Sequence, residues 1–295
     1  MILCVRFVII TYMRNKRLII LLSVLGGLVL LVILMSAIFT VYHIEARCVS
    51  LHSPSSEEEM GAVNEQVIAA AEDFKYGSIF LYDEEELMRT VDERVVRAEA
   101  VSVVSVFPNT VRVEYEYVED DIQIALPDGG YVIAGSSGKI TRKSDTDVTG
   151  DDSSVAAVTP SETPVSSEPG RYLYDEGSFD LTALDTLIDY AEALHPEGDP
   201  GGSVFLNAYR SIDLSAGKRG TIEVEIAGGF RFTLYCRLEG SFTDRNELKA
   251  AVEAMVGFYY DKNGSPEFGG GSATVNYSQI EGKYVAAYNG GNCPA

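Results

Sequence analysis

An uncharged apolar run of 25 residues lies near the start of the chain, at residues 18–42. A helix of that length extends about 37 Å, which is enough to cross a hydrocarbon core of about 30 Å with some tilt. A buried helix of a soluble protein would be shorter and would carry a polar face. The run therefore predicts one transmembrane helix, with the rest of the chain attached to it.

Charged residues on either side of the run predict its orientation. No acidic residue occurs before Glu45, whereas four basic residues precede the run: Arg6, Arg14, Lys16 and Arg17. Cytoplasmic flanks of membrane helices carry an excess of Lys and Arg. We therefore expect a single-pass type II protein, with residues 1–17 as a cytoplasmic tail and the remainder outside the cell membrane.

The same run is too long for the apolar region of a cleaved signal peptide, and no A-x-A-like site follows it closely. We therefore expect an uncleaved anchor. Residues 1–12 are themselves apolar, and Met13 begins a more ordinary start, MRNKRLII. This pattern favours Met13 over Met1 as the first translated residue.

The exported part is strongly acidic. Net charge is −21 overall, and the four basic residues of 1–42 leave the remainder at −25. Such a surface repels nucleic acid and anionic headgroups, which excludes both as ligands held by charge. A solubilising surface is favoured over a specific cation site.

The chain has four cysteines, too few and too scattered for a disulfide framework. Cys4 is on the cytoplasmic side, or absent if translation starts at Met13. Cys48, Cys236 and Cys293 lie outside, and an odd number leaves at least one of them unpaired in a monomer. Cys236 falls in a predicted strand, where a small buried thiol is the expected role.

Residues 144–170 are rich in Ser, Thr, Pro and Asp, with six acidic residues and no base after residue 144. Such a composition does not bury enough apolar surface to order a chain. We therefore predict a disordered acidic linker or insertion here.

The region before this segment has an αβ pattern. Apolar spacing predicts a helix from Val63 to Phe74, and Asp83 with Glu86 resembles a capping box that opens a second helix. Strands are predicted at 44–51, at 98–106 and at 111–117, where apolar and charged residues alternate. The order is β-α-α-β-β.

The region after it predicts a second α+β unit with an antiparallel sheet. Asp180 is a candidate N-cap for a helix near residues 181–191. A hairpin with a Gly-Gly turn at 228–229 follows, then a helix with apolar residues at i, i+3, i+4, i+7 and i+8 over 248–259. Late strands are predicted at 273–277 and 283–288.

Catalytic motifs are absent from the sequence. The three histidines, His43, His52 and His195, are scattered, and no H-E-x-x-H, Cys-x-x-Cys or G-x-S-x-G pattern occurs. Runs of acidic residues at helix starts are typical of solvated faces. We therefore expect no enzymatic activity, no cofactor, no metal and no small-molecule substrate.

The chain as a whole resembles a known family. The order of short tail, single anchor, β-α-α-β-β module and terminal α+β domain is similar to that of FtsQ/DivIB cell-division proteins. GSIFLYD at 77–83, FPNTVRV at 107–113, and YVI at 131–133 with GKI at 138–140 resemble motifs of that family. The resemblance implies a POTRA-like domain at 43–120 and an FtsQ/DivIB-type domain at 121–295.

The resemblance also implies a function and partners. A divisome scaffold of this type binds FtsB/DivIC-like and FtsL-like membrane proteins by β-strand addition and couples them to septal peptidoglycan synthesis. The edge implied for this contact lies in the late strands, with Tyr277, Tyr284, Val285 and Tyr288 as partner-binding candidates. Covering the core is the alternative role for the tyrosines. A POTRA-containing adaptor in sporulation or secretion, and an anchored cell-wall enzyme, are the alternative functions.

Overall fold

In the computed structural model of the protein, residues 2–50, 57–149, 154–194, 209–237, 242, 244–261 and 271–289 are described. These described residues form an N-terminal apolar helix, a three-stranded sheet and a nine-stranded sheet, and the fold is of mixed α+β class. The sequence predictions for His52, His195 and Cys293 lie outside the described residues.

The helices, in chain order, are α1 (Ile2–Ile38), α2 (Glu57–Ala70), α3 (Glu84–Arg94), α4 (Phe179–Asp185), continued by a π-helical turn (Thr186–Tyr190), α5 (Ala191–Ala193) and α6 (Arg245–Asp261). The strands are β1 (His43–Cys48), β2 (Ala98–Val106), β3 (Thr110–Tyr117), β4 (Ile122–Ala125), β5 (Tyr131–Ala134), β6 (Ile140–Ser144), β7 (Ala156–Thr159), β8 (Tyr209–Asp213), β9 (Thr221–Ile226), β10 (Phe230–Tyr235), β11 (Ser272–Ser278) and β12 (Lys283–Tyr288).

The apolar helix α1 stands apart from the rest of the described chain. Its 19 residues Ile20–Ile38 are long and apolar enough to cross a membrane, and none of them is buried against protein. The helix ends four residues before the predicted boundary at residue 42. The reason is that the backbone of residues 39–41 pairs with the loop at 76–79, where the Val41 amide donates to the Gly77 carbonyl at 2.9 Å.

The first module consists of β1, α2, α3, β2 and β3, and this predicted order is confirmed. Strand β3 is central, pairing in parallel with β1 and antiparallel with β2. Its alternating pattern places Val111, Val113 and Tyr115 in the core beneath the two helices. The predicted cap is also confirmed, because the Glu86 amide donates to the Asp83 carboxylate at 3.0 Å.

The second module contains the nine-stranded sheet, in the order β12-β11-β10-β9-β8-β7-β4-β5-β6. The predicted hairpin pairs β9 with β10 across Gly228 and Gly229. The predicted amphipathic helix is α6, and the apolar residues that define its periodicity are buried: Leu248, Ala251, Val252, Met255, Val256 and Tyr259. These residues pack in one core with the buried face of the sheet.

The predicted antiparallel sheet is wrong in one respect, because the sheet is mixed. Three neighbouring pairs are parallel: β4 with β7, β7 with β8, and β10 with β11. Parallel neighbours need a crossover connection, and each of these pairs is separated in the chain by such a connection. Helix α6, for example, lies between β10 and β11 in the sequence and packs on the sheet.

The prediction of a disordered segment at 144–170 is also wrong for part of its length. Residues 156–159 form β7, which lies between β4 and β8 near the middle of the sheet, with Ala156 and Val158 buried. These four residues are only modestly apolar. They form a strand because the backbones of β4 and β8 pair with them on both sides. Residues 150–153 lie outside the described part.

Helix α4 begins two residues earlier than predicted. Its N-cap is Ser178, whose hydroxyl accepts from the Leu181 amide at 3.1 Å. Asp180 lies inside the first turn, where its buried carboxylate accepts from the Ser161 amide at 2.9 Å and the Glu162 amide at 2.8 Å. Asp180 therefore links the segment after β7 to α4 and is not the N-cap of that helix.

An ion-pair cluster joins the two modules at Asp120. Its carboxylate lies 2.7 Å from an Arg97 nitrogen and 2.9 Å from Arg142 Nε, and it accepts from the Thr141 hydroxyl at 2.7 Å. Partial burial alone would raise the pKa of Asp120. The hydrogen bonds from Thr141 and Arg142 and the charge of Arg97 outweigh it and lower that pKa below its ordinary 3.8.

The Asp120→Asn variant is expected to lose about 2 kcal/mol of unfolding free energy near neutral pH, because charge-assisted hydrogen bonds are lost. The lowered pKa means that this stabilisation is complete above about pH 4 and is lost as pH falls through the folded-state pKa. Denaturant unfolding of the full-length protein in detergent across this range measures it. Asp128→Asn, in the exposed turn before β5, is the control and should change little. A flat difference between wild type and Asp120→Asn over the acid range would contradict the expectation.

Candidate docking edge at β12

Strand β12 is the last strand at one end of the nine-stranded sheet. It pairs antiparallel with β11 in a hairpin, from Ser278 opposite Lys283 to Ala273 opposite Tyr288. Within the described part of the chain, no other strand pairs with its second side. Both late strands predicted from the sequence are confirmed, and among the described residues β12 is an edge strand over its whole length.

The register determines which backbone groups of β12 face outward. The Asn289 amide donates to the Ser272 carbonyl at 2.9 Å, so that pair is hydrogen-bonded. Hydrogen-bonded and non-hydrogen-bonded pairs alternate along an antiparallel ladder. The N–H and C=O groups of Tyr284, Ala286 and Tyr288 therefore point away from β11, toward the open side. An added strand would bond to these three residues.

The three predicted tyrosines share one face of the hairpin, and that face packs on the core. Alternation and register place Tyr277, Tyr284 and Tyr288 on the side of α6, whereas Val285 lies on the opposite face. Tyr288 stacks on Phe230 with ring centroids 6.2 Å apart. Their rings contribute to the second-module core. The backbone of Tyr284 and Tyr288 lies on the edge strand β12, whereas Tyr277 lies on the neighbouring strand β11. That these four residues bind a partner stays a prediction.

Tyr284 is the most buried of the four. Its hydroxyl donates to the Glu247 carboxylate at 2.5 Å and accepts from the Arg237 amide at 2.9 Å. Burial, and then the hydrogen bond to Glu247, raise the pKa of Tyr284 well above its ordinary 10.0. The phenol therefore remains a neutral donor that ties β12 to the start of α6.

Tyr277 lies at the rim of the same face. Its ring contacts the Tyr284 ring with centroids 5.6 Å apart, and the Arg237 guanidinium lies 4.1 Å from the Tyr277 ring centroid. A cation over an aromatic face is attracted to the ring's negative surface. These contacts attach β11 and β12 to Arg237, which follows β10.

The described sheets have three other edge strands, β1, β2 and β6, and two of these edges are partly occupied. At the far end of the sheet, residues 170–173 cover the start of β6: the Ile140 amide donates to the Arg171 carbonyl and the Gly170 amide to the Ile140 carbonyl, both at 2.8 Å. In the first module, the Ala100 amide of β2 donates to Asp92 at 2.7 Å, and β2 carries a register shift between residues 100 and 102. A bulge of this kind disfavours strand addition.

A cavity and Cys236 are two further features of the described structure that bear on a possible site. The cavity, of about 400 Å³, lies between α3 and the segment at 170–172, lined by Arg89, Asp92 and Tyr172 among others. Among the described residues, no group of three or more His, Cys, Asp and Glu side chains could hold a metal ion. Cys236 lies just beyond β10 and is half-buried, so the expectation of a buried thiol within a strand is only approximate.

The comparisons with known proteins add no family to this picture. A search of protein-family models found no match, and a search of curated proteins found none either.

Sequence reasoning found the late strands but missed Ala286, whose backbone lies at the centre of the edge. An alanine between Val285 and Ala287 carries no signal of its own. The direction of its N–H group follows from the register of β12 on β11, which only the pairing reveals.

Proposed function

We propose that this chain is a membrane-anchored, non-enzymatic docking protein that receives an extended or hairpin segment of a partner on β12. The single observation that carries the proposal is the β12 edge, which is open in the described structure over its whole length while the starts of β6 and β2 are covered. Unpaired backbone donors and acceptors on a rigid edge bind an added strand through main-chain hydrogen bonds.

The partner proposed is a divisome protein. The order of anchor, β-α-α-β-β module and second α+β domain is similar to that of FtsQ/DivIB proteins, which supports this choice. Under the proposal, FtsB/DivIC-like and FtsL-like proteins supply the added strand, and the chain couples them to septal peptidoglycan synthesis. The net charge of −21 favours a partner segment with basic residues beside the pairing strand.

Helix α1 would serve as the anchor. Its apolar stretch Ile20–Ile38 has no protein cover in the described structure, which supports insertion in the bilayer. Under the proposal, the basic residues of the tail keep the N-terminus in the cytoplasm, and the two modules lie outside the cell membrane. Docking on this side suits partners that are themselves single-pass membrane proteins with exported segments.

Depletion of the protein in its native host, with a fluorescent fusion imaged in the same cells, tests the proposed function. We expect blocked septation, with the fusion concentrated at division sites before depletion. A wild-type copy expressed from a second promoter is the control and should restore division. Normal division together with uniform envelope fluorescence would overturn the divisome assignment.

A further inference from the structure

A cluster of exposed aromatic and aliphatic side chains surrounds the point where α1 ends. Phe80 is 61% exposed, Leu81 84% and Phe107 59%, and Tyr76 is 77% exposed. Scattered apolar residues are normal on a protein surface, but a large contiguous apolar patch marks a contact surface. We call Phe39, Tyr76, Phe80, Leu81 and Phe107 the exit patch.

Ring contacts hold the exit patch together. Phe39, the first residue after α1, has its ring centroid 5.1 Å from that of Phe80 and 6.2 Å from that of Phe107. The Phe80 and Phe107 rings are themselves 5.5 Å apart. Three phenylalanines from three separate segments therefore meet directly beyond Ile38.

Backbone hydrogen bonds fix these segments against the end of the helix. The Ile79 amide donates to the Phe39 carbonyl at 2.9 Å, and the Tyr76 amide to the Val41 carbonyl at 2.8 Å. The Tyr42 amide donates to the Asn109 carbonyl at 2.9 Å. These bonds hold the loops at 76–82 and 107–109 against residues 39–42, directly after the end of α1.

If α1 spans the membrane, these loops lie at a surface of the bilayer. The stretch Ile20–Ile38 reaches about 28 Å, close to the hydrocarbon thickness of a bilayer. Phe39 and its ring partners then lie in the interfacial layer, where aromatic side chains are enriched in membrane proteins. Asp83 and the acidic start of α3 follow Leu81 within a few residues, which limits insertion to the tip of the loop.

The conformation of Tyr76 also supports a membrane contact at the exit patch. Tyr76 has φ 69°, the left-handed region that is costly for a tyrosine, and its ring is held outward against Tyr42 with centroids 6.2 Å apart. A strained backbone that exposes an amphipathic ring has a physical rationale where the ring contacts the headgroup layer.

We infer that the exit patch seats the first module on the outer surface of the lipid bilayer, with Phe80 and Leu81 inserted in the interfacial layer. The contact is apolar and does not require anionic lipid, in keeping with the acidic character of the exported chain. Seating at this point restricts the tilt of the first module about the end of α1. The inference rests on the anchoring that the proposed function assigns to α1.

Tryptophan fluorescence tests this inference in the full-length protein, because the chain has no native tryptophan. Single-residue variants Phe80→Trp and Leu81→Trp are reconstituted at one copy per phosphatidylcholine nanodisc, with and without lipids brominated near the headgroup end of their acyl chains. Both positions are exposed, so the substitutions should not disturb the core. We expect each to lose about half of its emission in brominated lipid, as interfacial depth requires.

Three control variants separate the outcomes. Leu28→Trp, in the middle of the apolar stretch, should be quenched by lipids brominated near the methyl end of their acyl chains if α1 spans the bilayer. Ile280→Trp, 99% exposed in the β11–β12 turn, and Val165→Trp, 60% exposed before α4, should keep their emission. Quenching at residues 80 and 81 without quenching at 165 and 280 supports the inference.

Other results overturn it. Quenching of Leu28→Trp with no quenching of Phe80→Trp and Leu81→Trp removes the lipid contact and leaves the anchor standing. Loss of quenching at all positions removes the anchor and the inference together. Protection of residues 80 and 81 from acrylamide without quenching by brominated lipid would show that protein, and not lipid, covers the exit patch.

Discussion

Replacing Ala286 by proline is expected to weaken partner binding about 100-fold while β12 stays paired with β11. The outward N–H of Ala286 is the central donor of the β12 edge, and proline has none. Its ring would also occupy the space of the partner backbone. Because that N–H makes no bond to β11, the hairpin loses nothing internally, and proline is tolerated on an edge strand at such a position.

Two variants at neighbouring positions control this prediction. Ala286→Ser keeps the donor and nearly the same volume, so it should bind as wild type does. Val285→Pro removes an N–H that faces Asn276 of β11, so it should lower both stability and binding. Co-purification of the proposed FtsB/DivIC-like partner with the full-length protein from native membranes measures binding, and thermal unfolding measures stability.

The pattern of results decides the location of the site. Loss of binding in Ala286→Pro at unchanged stability places the contact on β12. Wild-type binding by a folded Ala286→Pro variant would contradict β12 docking. A different edge, such as the second half of β2, would then carry the partner, or the proposed contact would involve side chains alone.

The Asp92→Asn variant is expected to lose about 3 kcal/mol of unfolding free energy, the second large effect. Lys139 is fully buried, and its Nζ donates to the Ala98 carbonyl and lies 3.9 Å from an Asp92 oxygen. Burial lowers the pKa of Lys139 and raises that of Asp92. Asparagine keeps the acceptor for the Ala100 amide but leaves the ammonium without its nearest counter-charge.

Removing the lysine should cost less than removing the acid. Lys139→Met conserves volume, and the remaining Asp92 carboxylate is 23% exposed and can reach water. The double variant Asp92→Asn/Lys139→Met should be about as stable as Lys139→Met alone, because the buried charge has gone. Denaturant unfolding of the four full-length proteins in detergent gives the cycle.

Two further measurements test whether the buried charge of Lys139 causes the loss of stability: the effect of breaking a surface ion pair, and the pH dependence of Asp92→Asn. Glu225→Gln breaks an exposed pair with Arg231, 2.9 Å apart, and should cost less than about 1 kcal/mol. In Asp92→Asn, stability should rise with pH between the lowered pKa of Lys139 and 10.5, because the folded state there releases the proton that the unfolded state keeps. An Asp92→Asn variant as stable as wild type near neutral pH would contradict a buried, charged lysine.

Much of the local structure follows from short-range sequence patterns. The Asp83 cap, the alternation of β3 and the apolar face of α6 were all predicted, and each is confirmed. These patterns reflect periodicity and capping, which act within a few residues. The turn glycines at 228–229 similarly determined the β9–β10 hairpin.

Features set by long-range contacts were not predicted. The strand at 156–159 has a composition typical of a linker and becomes ordered between β4 and β8. Asp180 has the sequence context of a cap, yet its carboxylate binds the chain after β7. Lys139 follows a Gly-Ser-Ser-Gly turn and gave no sign of burial at the contact between modules.

The β12 edge depends on both short-range sequence patterns and long-range contacts. Hydrophobic runs and periodicity are local properties, so the apolar helix, the two modules and the late strands can be predicted from the residues alone. The edge position of β12, the outward direction of the Ala286 N–H and the contact of Phe80 with Phe107 at the end of α1 are visible only in the folded chain. Those facts depend on which distant segments pair, and pairing is governed by the packing of the whole core.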